Sequence, residues 1–276
     1  MTGAVGNVRG MMHMRSWLAA AAISATFLLS FARALAVETV PFTEVNGGKM
    51  QVMASVDGRP PVPMLIDLGA GVNVLSSEYG TPLVYGPVSK YTTLRLKGER
   101  LDLQMRRVVS ISVGAWPLDE LNVGIWKGLD GTGVDGLISA MAFRNFATTF
   151  DFKTHQIIIE DAPSFAERKR LAMWIPITLV DDRSIGLAIF AKFDFGNGQS
   201  GLCQIDTGSA GITLDRHYGT SIPSIALTQA ATGTKINNPP VTFADLIYDC
   251  NVGNAFWKNR AFTLDIPNRA IYISAT

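Results

Sequence analysis

The sequence predicts an all-β protein built from two similar lobes. Three observations carry that prediction. Beyond residue 36 the chain consists of short apolar runs broken by Gly, Pro, Asp and Asn. Four landmarks recur in the same order in its two halves. A helix-length stretch is found only at residues 162–173, between the halves.

Taken in order, the chain opens on Arg9 and Arg15, the apolar run WLAAAAISATFLLSF and the small residues Ala34-Leu35-Ala36. This is the layout of a secretory leader with cleavage expected after Ala36. The run is shorter than the roughly 20 residues a membrane span needs. An uncleaved anchor is the alternative, and the expected location is periplasmic or secreted. Strands are expected at MQVMASV, VPMLID, VVSISV, HQIIIE, AIFAKFDF, LCQID and AIYIS. Asp57-Gly58 and Gly196-Asn197-Gly198 read as hairpin turns. The expected organisation is a leader over 1–36, a first lobe over 37–161, a linker helix over 162–173 and a second lobe over 174–276.

Composition excludes several classes. The 276 residues are 47% hydrophobic and 17% charged, with 24 Lys+Arg against 23 Asp+Glu. No basic block points to nucleic acid. Three scattered histidines (His13, His155, His217) and two cysteines do not make an ordinary zinc site, so no metal or other cofactor is expected.

The recurring landmarks bring two carboxylates into relation. Val40-Pro41-Phe42-Thr43 matches Ile175-Pro176-Ile177-Thr178, and each is followed by a hairpin that runs into an acidic turn. Those turns are MLIDLGAGVNVL and CQIDTGSAGITL, whose Asp67 and Asp206 lie 139 residues apart. GLISAMAF then matches CNVGNAFW, and TTFDFKTHQIII matches FTLDIPNRAIYI, both at an offset of 114. Asp-x-Gly alone is an ordinary turn. Two such turns in matched surroundings make Asp67 and Asp206 candidate partners.

An apolar-apolar-Asp-x-Gly turn followed by an apolar strand and an apolar-apolar-Gly loop resembles the aspartic peptidases, in particular their bacterial retropepsin-like branch. The residues that carry the resemblance are LIDLGAGVNVL and QIDTGSAGITL, with GLIS and NVG after them. It implies two barrel-like β lobes facing each other across a cleft, one aspartate from each, and a hairpin flap over a peptide substrate. Asp206, Thr207, Gly208 and Ser209 fit the family's catalytic turn fully. Asp67, Gly69 and Ala70 fit it too, but Leu68 stands where a threonine is expected and cannot share in the hydrogen bonds that link the two turns. Ser139 replaces the glycine that the second half has at Gly253, and is expected to crowd the loop beneath Asp67. The flap falls to residues 91–105 with its Lys97-Gly98 turn; the second half's 226–238 looks like a poor counterpart. Tyr91 and Tyr85 read as exposed strand tyrosines, either one within range of the cleft. The resemblance also sets Cys203 and Cys250 on adjacent strands, which allows either a disulfide or two buried thiols.

Two neighbouring carboxylates share a proton and titrate as a pair; aspartic peptidases are the standard example of that behaviour. The ionised one can deprotonate a water while the other polarises the scissile carbonyl. The expected function is therefore an aspartic endopeptidase acting through Asp67 and Asp206 on a peptide or protein, as a monomer, with no nucleic-acid or membrane partner. The alternative is a catalytically silent relative that binds a peptide or protein in the cleft. Other motifs read blandly. Gly131–Gly136 satisfies G-x-G-x-x-G but lacks the strand and helix a dinucleotide turn needs. Ser209, Asp215 and His217 are too close in sequence for a hydrolase triad, with Ser209 expected to hydrogen-bond near Asp206 and His217 on a loop surface. His155 reads as an exposed turn, and Arg168-Lys169-Arg170 as a solvated helix face.

Overall fold

The structure, a computed structural model, describes residues 37–82, 87–196, 198–222, 224–228 and 235–274. The leader read from residues 1–36, Tyr85 and Asn197 lie outside the described residues. The described chain is all-β with two sheets of mixed strand direction.

In the first half, Lys49–Val56 and Val62–Asp67 form an antiparallel hairpin. The intervening Asp57 and Gly58 both take positive φ (53° and 69°), the backbone that a tight hairpin turn requires. Val62–Asp67 then pairs in parallel with Gly136–Ser139, which is also antiparallel to Asn73–Ser76. The second half repeats this wiring. Gln199–Ile205 lies antiparallel to Gly186–Gly196 and parallel to Cys250–Val252, and the last of these pairs antiparallel with Ile212–Asp215. Each aspartate thus sits at the end of a strand pinned on both sides, and each following turn is enclosed by the strand that returns beneath it.

The two halves share more backbone than a linker between lobes suggests. Ala147–Asp151 runs antiparallel to Ala261–Asp265. Around that pair, Glu38–Pro41, Gln156–Ile159, Ala270–Ser274 and Ala172–Asp182 complete a continuous floor. Thr149 and Thr263, matched positions 114 residues apart, face each other there with hydroxyls 2.7 Å apart. The physical reason is burial: Ala261–Asp265 is buried along its whole length, so it needs a neighbouring strand on each edge to satisfy its backbone. An aromatic chain crosses the same boundary, from Phe143 to Phe150 (centroids 5.2 Å apart), to Phe262 (5.1 Å) and on to Trp257 (4.2 Å).

The helix between the halves spans Ala162–Leu171, two residues shorter than expected. Asp161 caps it in a reciprocal box with Ser164. It stops because Ala172 and Met173 are taken into the floor, paired with Ser274 and Ile273. Arg170 pairs with Glu167 on an exposed face, the solvated arrangement expected of that run, whereas Arg168 turns toward the buried Glu160 carboxylate. His155 takes a positive φ of 54° in its turn and reaches Glu44 at 3.1 Å.

Cys203 and Cys250 are directly opposed on parallel strands, Cα atoms 4.4 Å apart, and joined as a disulfide. The bridge closes a sequence separation of 47. Replacing both cysteines with alanine is expected to cost about 3–4 kcal/mol, read as a fall in denaturant midpoint that reductant does not deepen further.

Candidate active site

The two Asp-x-Gly turns meet at the bottom of the cleft, and glycine is the reason they can. A Cβ built on Gly69 would overlap the Asp206 carboxyl group, and one on Gly208 would overlap that of Asp67. Each turn's glycine therefore lies against the other half's carboxylate. Asp67 Oδ1 accepts from the Gly69 and Ala70 N–H groups, at 3.0 Å each. Asp206 Oδ1 accepts from the Gly208 N–H at 2.9 Å. The two carboxyl groups lie close enough for each to act on the other's proton affinity.

Thr207 ties the turns together. Its hydroxyl accepts from the Leu68 N–H at 3.0 Å and donates to the Ile66 carbonyl at 2.8 Å, both across the boundary between halves. Leu68 makes no matching bond; its side chain is fully buried in the main core. The link is thus one-sided: a hydroxyl on one turn, hydrocarbon packing on the other. Thr207→Val keeps the shape but strands a buried N–H and a buried C=O, and is expected to lower stability by about 2–4 kcal/mol. Chemical denaturation measures it.

Three further residues complete the floor. Asn251 Nδ2 donates to Asp206 Oδ2 at 2.8 Å. Gln204 Nε2 donates to the Gly69 carbonyl at 3.1 Å, and its Oε1 accepts from the Tyr248 hydroxyl. Sequence reasoning missed all three. The available signal was polarity in a matched apolar slot, since Gln204, Tyr248 and Asn251 stand where the first half has Leu65, Val134 and Leu137.

The expected supporting contacts hold in part. Ser209 meets Asp206 through its backbone, N–H to carbonyl at 3.2 Å, while the side-chain donor to that aspartate is Asn251. Ser139 does not crowd the loop. Its N–H and hydroxyl both bond Asn73 Oδ1, at 2.9 and 3.1 Å, so the extra atoms are absorbed by a partner. At the matched Gly253 a Cβ would strike the Ser209 and Gly211 carbonyls, which explains the smaller residue there. His217 bonds Asp215 on an exposed turn, as part of a short 3-10 segment rather than a triad. Gly131 and Gly133 have positive φ in the turn before Gly136–Ser139.

Above the aspartates is a cavity of about 660 Å³. Its first-half wall carries an apolar patch of Val74, Leu103, Trp126 and Leu137 beside the polar Thr93, Arg95, Lys97 and Glu99; Phe190, Gln204 and Tyr248 face it from the second half. Strands Pro87–Leu94 and Arg100–Arg107 form the expected flap hairpin. Its tip is closed over the cleft: the Leu96 carbonyl accepts from the Ile247 N–H of the other half at 3.2 Å. Tyr91 is not an exposed strand tyrosine but a half-buried residue of the cavity wall, its hydroxyl packed between Gly186 and Gly71. Burial is the main cause of its raised pKa. In the second half, Ser224–Thr228 and Lys235–Pro240 also pair as a hairpin, but none of the described cavity-lining residues belongs to it.

Burial dominates the electrostatics of the pair. It pushes the Asp67 carboxyl from 3.8 up to about 8, aided by the neighbouring Asp206 charge and opposed by the two backbone N–H bonds. Burial raises Asp206 as well, but the Asn251 bond, the neighbouring Asp67 carboxyl and the Gly208 N–H pull it back. Burial and then both carboxylates push Tyr248 up, so its hydroxyl stays protonated. Both carboxyl groups are thus pushed toward the protonated form at the floor of the recess. Among the described residues no cluster of His, Cys, Asp and Glu is arranged to hold a metal.

Comparison with known proteins agrees with this geometry at the level of the fold. No family model and no curated protein matches the sequence. Among solved structures, basic 7S globulin from soybean superposes with a TM-score of 0.61 at 9% identity, over 88% of this chain and 95% of that one. An aspartic proteinase from Irpex lacteus superposes with a TM-score of 0.58 at 12% identity, over 87% of this chain and 98% of its own. The chain has the pepsin-like, two-lobed aspartic proteinase fold. A globulin and a proteinase share that fold, so the fold alone does not define an activity.

Proposed function

We propose that the protein is an aspartic endopeptidase in which Asp67 and Asp206 activate a water against a peptide bond. The observation that supports this most is the placing of two carboxyl groups at the floor of a peptide-sized cleft, each set against the other half's glycine. The ionised carboxylate takes a proton from the water as its oxygen adds to the carbonyl carbon. The protonated carboxyl donates to the carbonyl oxygen. The resulting gem-diol collapses as the amide nitrogen receives a proton and the C–N bond breaks, with no covalent enzyme intermediate. The closed flap tip excludes bulk water from that step. The apolar patch of Val74, Leu103, Trp126 and Leu137 favours a substrate with an apolar side chain on that side of the scissile bond.

We further propose export to an oxidising compartment, with residues 1–36 as leader; the Cys203–Cys250 bridge supports it. A second reading, a silent peptide binder, draws on Leu68, which leaves the link between the turns one-sided. The test uses a peptide whose scissile amide is replaced by a hydroxyl-bearing tetrahedral carbon. A hydrolase binds it at least about 100-fold more tightly than the parent peptide. Equal affinities by calorimetry favour the silent binder.

A further inference from the structure

We propose that Asn251 divides the labour between the two aspartates: its side-chain amide holds Asp206 in the ionised form, leaving Asp67 to carry the shared proton. This rests on the hydrolase reading for its consequence, but not for its test. Asp206 would then be the group that takes a proton from water, and Asp67 the one that donates to the substrate carbonyl.

The asymmetry is built into the strands. Asn251 lies opposite Gln204, two residues before Asp206, on parallel strands. Leu137 lies opposite Leu65, two residues before Asp67, in the same parallel arrangement. The two slots face their aspartates equivalently, yet one holds an amide and the other a hydrocarbon. Asn251 is fully buried, and its strand is fastened one residue away by the Cys203–Cys250 disulfide, so the amide is held in place. Its Nδ2 is a donor only, and it faces Asp206 Oδ2 at 2.8 Å while the Gly208 N–H occupies Oδ1 at 2.9 Å. Both oxygens of Asp206 therefore face donors from its own half, an arrangement that favours a carboxylate. Donors from the first half reach Asp67 at Oδ1 alone, among the described residues. Its other oxygen is left to hold a proton.

Other groups act on Asp206 without reversing this. Lys49, on the strand Lys49–Val56, favours the charged form. Asp67 lies beside it, and the Tyr248 hydroxyl is neutral and committed to Gln204. Asn251 Oδ1 is buried without a hydrogen-bond partner. Turning the amide over would place that oxygen against Asp206 and demand a protonated Asp206, the reverse assignment. The two orientations predict opposite shifts.

The experiment is a carbon-13 NMR titration of the aspartate carboxyl groups in the purified protein, with Asp67→Asn and Asp206→Asn providing the assignments. Asn251→Leu copies the first half's residue and removes the donor. In it, the Asp206 titration is expected to move up by roughly one pH unit, and the acid limb of kcat/KM moves with it. Leu137→Asn supplies Asp67 with a donor and brings its titration down. A residue that only packs would lower stability and leave the titrations in place. Unmoved titrations in the folded variants, or a downward shift of Asp206, overturn the proposal. Because the NMR reading needs no turnover, a protein that shifts as expected but cleaves nothing contradicts the hydrolase reading alone.

Discussion

Asp206→Asn is expected to give a folded protein whose peptide hydrolysis falls at least about a thousandfold, and Asp67→Asn the same. The size follows from the division of roles. An amide in place of the ionised carboxylate cannot take a proton from water, and an amide in place of the protonated one is a far weaker acid toward the carbonyl. The fold has reason to survive both. Each side chain keeps its size, and Gly69, Ala70 and Gly208 donate to an oxygen that asparagine still offers. The Thr207 link between the turns does not involve either carboxyl group. Rate assays beside a thermal melt separate loss of chemistry from loss of structure. A variant that keeps its melt and more than a tenth of its rate contradicts the assigned role.

The second large effect is on stability. Burial lifts Asp67 to about 8, whereas an unfolded chain returns it to about 3.8. The folded state therefore holds a proton that the unfolded state releases anywhere between those values. Stability from this group is complete below about pH 4 and is lost as pH rises through about 8. The slope within the window approaches 1.4 kcal/mol per pH unit for one proton, as an order-of-magnitude figure. Asp206 is raised too and acts in the same direction. Asp67→Asn cannot ionise, so its melting temperature should fall less steeply from pH 5 to 8 and overtake the unsubstituted protein near the upper end. Parallel curves for the two proteins would show that Asp67 is not the buried proton carrier.

Much of the fold could be read from the chain because period and turn chemistry agree. The run AIYIS is the strand Ala270–Ser274, and Asp57-Gly58 is a tight turn with positive φ at both residues. Asp67 and Asp206 were recognisable because two Asp-x-Gly turns with matched surroundings are far rarer than one. What escaped the reading depends on packing between distant segments. Ala172 and Met173 suit a helix locally, but the strand Ala270–Ser274 takes them into the floor. Tyr91 alternates like an exposed strand residue, yet Gly186 from the other half and Gly71 from its own enclose its hydroxyl. Asn251 lies inside an apolar-apolar-Gly loop whose glycine drew the reading, and its own polarity has meaning only once Asp206 is known to lie 2.8 Å away.

Unbiased cleavage of a peptide library by the purified protein, read by mass spectrometry from pH 3 to pH 8, tests the central claim most directly. Asp67→Asn and Asp206→Asn run beside it. The account predicts cleavage that favours an apolar residue on one side of the scissile bond and is absent in both variants. Well-folded protein that cleaves nothing at any pH, or cleavage that survives both substitutions, would contradict it.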